Sequence, residues 1–465
     1  MTEDSSDFRT RMPLELVYDD EDAGFICRNA LGVAPLPGEP FKEGETYAVV
    51  VTRGVSDLRG DGALQDLDFT AMLAAEAPQD ELRPELEAAY AAMTPLRSWL
   101  AVEGLDSTTI AVAAVFTTDE ASTSGSSLRA AARTLPQQTR SDAVLCPGSA
   151  PSPCAIPGAP ERGCPDTLST SFLEVQGTYT GPVFQTGERP YDREGGQIVR
   201  NAAGEPQLQA VNETMCFGLA LPPATLTGGV EELPVVIYAH GTGGNYRSAF
   251  EDGTAEMLTA EGFAVLTFDN VMHGPRQGGA PESWTDPGQL FFNPLNPRAS
   301  RDNVLQGAGD LFRLVHLAEG VTITVNDTDV SFDPSNIYFY GHSQGTVISP
   351  AFLAFEANLA GAFQSGAGAE LALSILNKSE PQVIDQAVAA SFGERRLERL
   401  HPMLGLLAQL FAPADALAYA PRMVQSRPGG PLLYLQVQGI DDRFTPDVTQ
   451  HALIKSMGIP FVGPV

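Results

Sequence analysis

A serine sits between small residues in Gly341-His-Ser-Gln-Gly345, after an apolar stretch (337–340) and before a run with helical apolar spacing (346–355). A serine hydroxyl is a weak nucleophile until a base takes its proton and the backbone presents it. A G-x-S-x-G turn between a strand and a helix does the presenting, holding the side chain exposed on top of a sheet. That context points to Ser343 as a nucleophile rather than a buried turn residue. Upstream, His240-Gly-Thr-Gly-Gly244 directly follows another apolar run (235–239). Acyl transfer builds negative charge on an oxygen, and backbone N–H groups aimed at that charge stabilise it. The N–H groups of Thr242, with Gly243, and of Gln344 are the expected donors. A third segment, residues 435–446, places Asp441 and Asp442 on a loop after a late strand, where a carboxylate would orient a histidine.

Together these segments resemble the α/β-hydrolase superfamily, and in particular bacterial lipase- or esterase-like members that carry an extra N-terminal β domain. The acid loop of that family often reads G-x-x-D-x-x-[VT]-P. Gly439, Asp442, Thr445 and Pro446 fit, so the resemblance selects Asp442 over Asp441. Residues 268–276 look like the end of another family strand, with Asp269 and His273 expected to organise the loop. The resemblance covers residues 170–465. It implies a mostly parallel sheet covered by helices, a helical cap at 370–428, no metal and no cofactor. It also implies a histidine on the loop after the final strand. After Asp442 the sequence holds only His451, inside a predicted helix (448–457), and residues 459–465 read as the start of that strand. The general base is therefore expected beyond residue 465, with His451 the remaining candidate within it.

The elements that must position these residues are legible as short apolar strands at 235–239, 264–268, 337–340, 361–364 and 432–438, alternating with helices. This is the pattern of a mostly parallel α/β sheet covered on both faces. Residues 172–179 and 214–221 read as antiparallel lead-in strands. The spacing of Val304, Ala308, Leu311, Phe312 and Val315 predicts a helix over 304–318, capped by Ser300 and ended by Gly320. In the cap, 404–411 is apolar nearly all round, which suits a buried helix or an acyl-binding wall facing Ser343. Residues 1–120 read as a β-rich, Ig-like module. Its strands are 46–52 and 109–117, around a helical insertion interrupted by Pro84 and Pro95. Residues 121–168, rich in Ser, Gly, Pro and Cys, read as a linker, leaving 169–465 as the hydrolase domain.

The 465 residues carry a formal charge of −30 with lysine only at Lys42, Lys378 and Lys455, which disfavours nucleic acid and anionic lipid surfaces as partners. No apolar run is long enough to span a bilayer. Cys146, Cys154, Cys164 and Cys216 have no C-x-x-C spacing and no neighbouring histidine, which favours disulfides over zinc. They suggest an extracytoplasmic or secreted protein whose signal is missing, or otherwise a cytoplasmic one with free thiols. The reading is a serine carboxyl-ester hydrolase acting on a small-molecule or lipid-like ester. The alternatives are a serine peptidase or amidase on the same fold, or a binding protein that retains the scaffold.

Overall fold

The computed structural model describes residues 5, 8–78, 85–141, 143–148, 151–209, 213–227, 232–381 and 383–462. Two compact units share the chain: Met1–Leu14 with Phe41–Ala121, and Glu15–Pro40 with Ser122–Val465.

In the smaller unit, Thr46–Thr52 pairs antiparallel with Ile110–Thr117, both β-branched runs. Helices Leu67–Leu73, Glu85–Ala92 and Thr94–Glu103 lie between them in sequence. Phe69, Leu96, Leu100, Ile110 and Ala113 form its core. Its described residues make one strand pair with helices packed on it; within residues 1–120 a second two-stranded sheet, Leu14–Asp19 with Ala30–Pro35, falls almost wholly in the other unit. Pro84 lies outside the described residues, and Pro95 opens the third helix.

The larger unit is built on a ten-stranded sheet. We number the strands of its main path β1 (Ala143–Leu145), β2 (Leu173–Gly181), β3 (Glu213–Leu221), β4 (Glu232–Ala239), β5 (Ala264–Phe268), β6 (Thr328–His342), β7 (Gly361–Ser365) and β8 (Leu433–Val437). Their spatial order is β8-β7-β6-β4-β5-β3-β2-β1. Strands β1, β2, β3 and β5 are joined by antiparallel pairings. From β5 through β4, β6 and β7 to β8 every pairing is parallel. The central strands are buried on both faces, as their unbroken apolar runs require. Strand β8 differs: it is an edge, and Leu433, Leu435 and Val437 on one of its faces are exposed.

The long helix Pro297–Ala318 starts earlier than its periodicity indicates, because Asn296 rather than Ser300 caps it by accepting from the Ala299 N–H. After the elbow the helix breaks into Gln344–Val347 and Pro350–Phe355, since Pro350 opens a new helix rather than continuing one. Residues 122–168 are not a linker but part of this unit. Helix Thr123–Ala132 buries Leu128 and Ala132 in the main core. Its Gly125 lies so close to Phe355 that a Cβ would come within 2.6 Å of that ring. Small residues that suggest flexibility in sequence here permit close packing. Disulfides Cys146–Cys164 and Cys154–Cys216 pin the following segment to the sheet, and Cys27 is free and exposed. In the cap, Ile375, Ala389, Leu397 and Leu404 form a satellite core. Only Leu404 of helix Pro402–Phe411 is fully buried, so this helix is half-exposed rather than buried all round. Gln382 lies outside the described residues, as do residues 463–465. Residues 459–462, expected to begin a strand, are irregular.

Candidate active site

Strand β6 delivers Ser343 at its carboxyl end with φ 48° and ψ −111°, a conformation that L side chains rarely adopt. The turn is held from both sides: the Ser343 N–H donates to Ser365 O at 2.9 Å, and its carbonyl accepts from the Thr346 N–H at 2.8 Å. Both flanking glycines are required by space. A Cβ on Gly345 would run into Ala239 O, and one on Gly341 would meet Phe339 at 2.9 Å.

The turn after β4 closes over this serine. A Cβ on Gly241 would stand 3.2 Å from Ser343 Cβ. Thr242 Oγ1 donates to Gln344 Oε1 at 2.8 Å, locking the turn to the elbow. Among the described residues no hydrogen bond is made by the N–H of Thr242 or of Gln344. Gly243 is different. Its N–H donates to His273 Nε2 at 3.0 Å, so it is already committed and does not serve as an oxyanion donor.

Two buried imidazoles build that turn. His240 Nε2 accepts from the Asn270 N–H at 3.0 Å, which leaves Nδ1 to donate to Gly241 O at 2.7 Å. His273 Nε2 accepts from Gly243, and its Nδ1 donates to Val271 O at 3.0 Å. Burial lowers their pKa values to about 4 and about 3, so both are neutral. Behind them, the buried pair Arg162–Asp269 (2.6 Å) holds Tyr246 through its N–H. Arg162 comes from the cysteine-rich segment and carried no sequence signal; the ion pair with Asp269 and the bond from Tyr246 OH to its carbonyl seat it here.

Asp442 lies on the loop after β8. Its Oδ1 accepts from the N–H groups of Phe444 (2.8 Å) and Thr445 (2.9 Å), a local turn that fixes the carboxylate. The carboxylate also borders Gly366, where a Cβ would stand 3.9 Å from Oδ2. Gly366 O accepts from Thr346 Oγ1 (3.1 Å) and Thr445 Oγ1 (3.2 Å), so one carbonyl joins the elbow to the acid loop. This link was invisible in sequence because a backbone carbonyl has no signature. Asp441 is exposed, with φ 56°.

Among the described residues His451 makes no hydrogen bond to Ser343 or Asp442. It is exposed on helix Asp447–Met457, with Nε2 3.0 Å from Gln438 Nε2 and its ring edge-on to Phe461. The helix sets its buried side with Ala452, Leu453 and Ile454, which turns His451 outward. His342, adjacent to the nucleophile, is exposed, with Nδ1 3.2 Å from Ser365 Oγ. Among the described residues no group of His, Cys, Asp and Glu could hold a metal ion, and no helix is long and apolar enough to cross a membrane.

No protein-family model and no curated protein matches the chain. Among solved structures, an acetyl xylan esterase from Paenibacillus sp. R4 is 16% identical, with 73% of this chain and 85% of that one covered and a TM-score of 0.45. Acetyl xylan esterase 1 from Thermoanaerobacterium sp. JW/SL YS485 is 15% identical, with 73% and 84% covered and a TM-score of 0.44. A cold-adapted esterase from an Arctic intertidal metagenomic library is 12% identical, with 63% and 82% covered and a TM-score of 0.31. A parallel sheet with antiparallel lead-in strands, turning from its central strand into a positive-φ serine, gives this chain the α/β-hydrolase fold.

Proposed function

We propose that the chain is a serine carboxyl-ester hydrolase working through an acyl-enzyme on Ser343. The observation that carries the reading is the pairing of a strained, half-buried serine with a turn so close that a Cβ on Gly241 would stand 3.2 Å from Ser343 Cβ. Ser343 Oγ attacks the ester carbonyl, and the N–H groups of Thr242 and Gln344 hold the oxyanion. The alcohol departs with the proton taken from Ser343, and water then releases the acid. In this reading Asp442 is the carboxylate that orients a histidine base, and His451 is exposed with Gln438 and Phe461 as its contacts. The two disulfides support an oxidising compartment, hence an extracytoplasmic location.

The test is hydrolysis of a short-chain 4-nitrophenyl ester beside the Ser343→Ala variant, with a matched nitroanilide in parallel. Turnover of the ester that disappears in the variant supports the reading. Turnover of the anilide at a comparable kcat/KM makes the protein an amidase instead, and equal ester turnover by both chains removes Ser343 from the chemistry.

A further inference from the structure

Lys378 is one of three lysines in a chain of net charge −30. It follows the cap helix Leu371–Asn377, and the N–H groups of Ser379 and Glu380 both donate to Arg443 O at 3.2 Å, docking this segment on the acid loop. Asn377 and Ser379 line an open cleft of about 440 Å³ together with Asp442 and Arg443. Lys378 lies between them in sequence. Its Nζ lies 5.2 Å from the centroid of the Phe292 ring, and the Asp442 carboxylate acts on it electrostatically.

Phe292 ends helix Pro287–Phe292, one turn beyond Gly288 and on the same face. Gly288 packs on Thr242, where a Cβ would come within 2.9 Å of Thr242 Cγ2. Phe292 and Gly288 thereby connect the ammonium to the turn after β4, while Ser379 and Glu380 connect it to the loop of Asp442. Lys378 is half-buried, and among the described residues no carboxylate comes within ion-pair distance of it. Burial opposes its charge, Asp442 favours it, and the ring face returns only about 1 kcal/mol. A half-buried cation on an aromatic face gains most from an anion delivered to it by a ligand.

We propose that Lys378 is a specificity-determining residue of the ester site, and that the preferred substrate is an ester bearing a carboxylate a few atoms from the scissile carbonyl. This rests on the reading of Ser343 as the nucleophile. A half-ester of a dicarboxylic acid would place its carbonyl at the oxyanion turn and its free carboxylate at Nζ. The remainder of the acidic surface repels such an anion, so the preference comes from this short-range pairing.

The test compares kcat/KM for 4-nitrophenyl hemisuccinate and 4-nitrophenyl valerate, similar in length but differing in terminal charge. The expected result is a preference for the hemisuccinate that falls about tenfold in Lys378→Met and returns in Lys378→Arg. A ratio unchanged in Lys378→Met overturns the proposal. So does loss of turnover on both esters in Lys378→Arg, which would make Lys378 a proton-transfer group. If neither ester shows Ser343-dependent turnover, the hydrolase reading fails, and calorimetric binding of monoethyl succinate decides the residue's role separately. Binding weakened about tenfold in Lys378→Met upholds the anion contact, and equal binding by both chains overturns it.

Discussion

Ser343 is held in a backbone region that costs an L-residue of order 1–3 kcal/mol, and the bonds to Ser365 O and from Thr346 N–H keep it there. Ser343→Gly should therefore be inactive toward esters yet more stable by about 1 kcal/mol, read from urea unfolding beside an ester assay. A variant less stable than the parent would show that the serine side chain holds the turn. Asp442→Asn should lower kcat by roughly 10³- to 10⁴-fold if the carboxylate orients the base. His451→Gln should leave turnover within about twofold, because its contacts are Gln438 and Phe461 rather than the nucleophile. The first two positions were readable from motif and spacing. The commitment of Gly243 to His273 was not, since it depends on two segments meeting across the ends of β4 and β5.

The elements locate the site by forcing backbones together. The turn after β6 packs Gly345 against Ala239 at the end of β4, and a methyl group there would meet backbone that cannot move without shifting the sheet. Gly345→Ala should cost about 3 kcal/mol or more and remove activity with it, measured by thermal melting and ester turnover. At the opposite extreme, β8 leaves Leu433, Leu435 and Val437 exposed along the sheet edge. Such an edge templates association, so Leu435→Lys should reduce light scattering of concentrated solutions while leaving the melting temperature within a few degrees. Unchanged scattering would show that the edge is already protected in solution. Most strands were legible to within one or two residues, because buried parallel strands are short apolar runs. The exceptions are β1, which lies in a stretch read as linker, β4, which begins at Glu232 rather than 235, and β6, which extends back to Thr328 through an irregularity between Phe332 and Ile337 that interrupts its pattern.

Across the whole molecule, stability is tied to pH by imidazoles that the fold keeps neutral. His240 and His273 titrate near pH 6.5 when unfolded but only near pH 4 and pH 3 when folded. Below about pH 6.5 the unfolded chain thus binds protons that the native one refuses, and stability falls as pH falls. Each residue adds about 1.4 kcal/mol per pH unit to that slope. Asp310 opposes this: burial raises its pKa to about 6, so between its ordinary value and pH 6 the native state binds the extra proton. The urea midpoint should decline from pH 7 to pH 5, and less steeply in His273→Asn; an unchanged slope would mean that this imidazole is charged or exposed. Removing Cys154–Cys216, whose cysteines are 62 residues apart, should cost about 2–4 kcal/mol, seen as a lower melting temperature in Cys216→Ser.

What the chain alone determined are local matters: where most strands and helices form, which serine follows a strand with glycines around it, and that a pair of aspartates lies on the loop after the last parallel strand. Each depends on neighbours within a few residues, and periodicity and steric size report those directly. The tertiary structure decided the rest. It placed residues 122–168 in the larger unit, paired Arg162 with Asp269, committed the Gly243 N–H to His273, left His451 exposed against Gln438 and Phe461, and set Lys378 over Phe292. These outcomes rest on contacts between segments far apart in sequence, where a hydrogen bond to a carbonyl or the space beside a glycine is settled only when the sheet has closed.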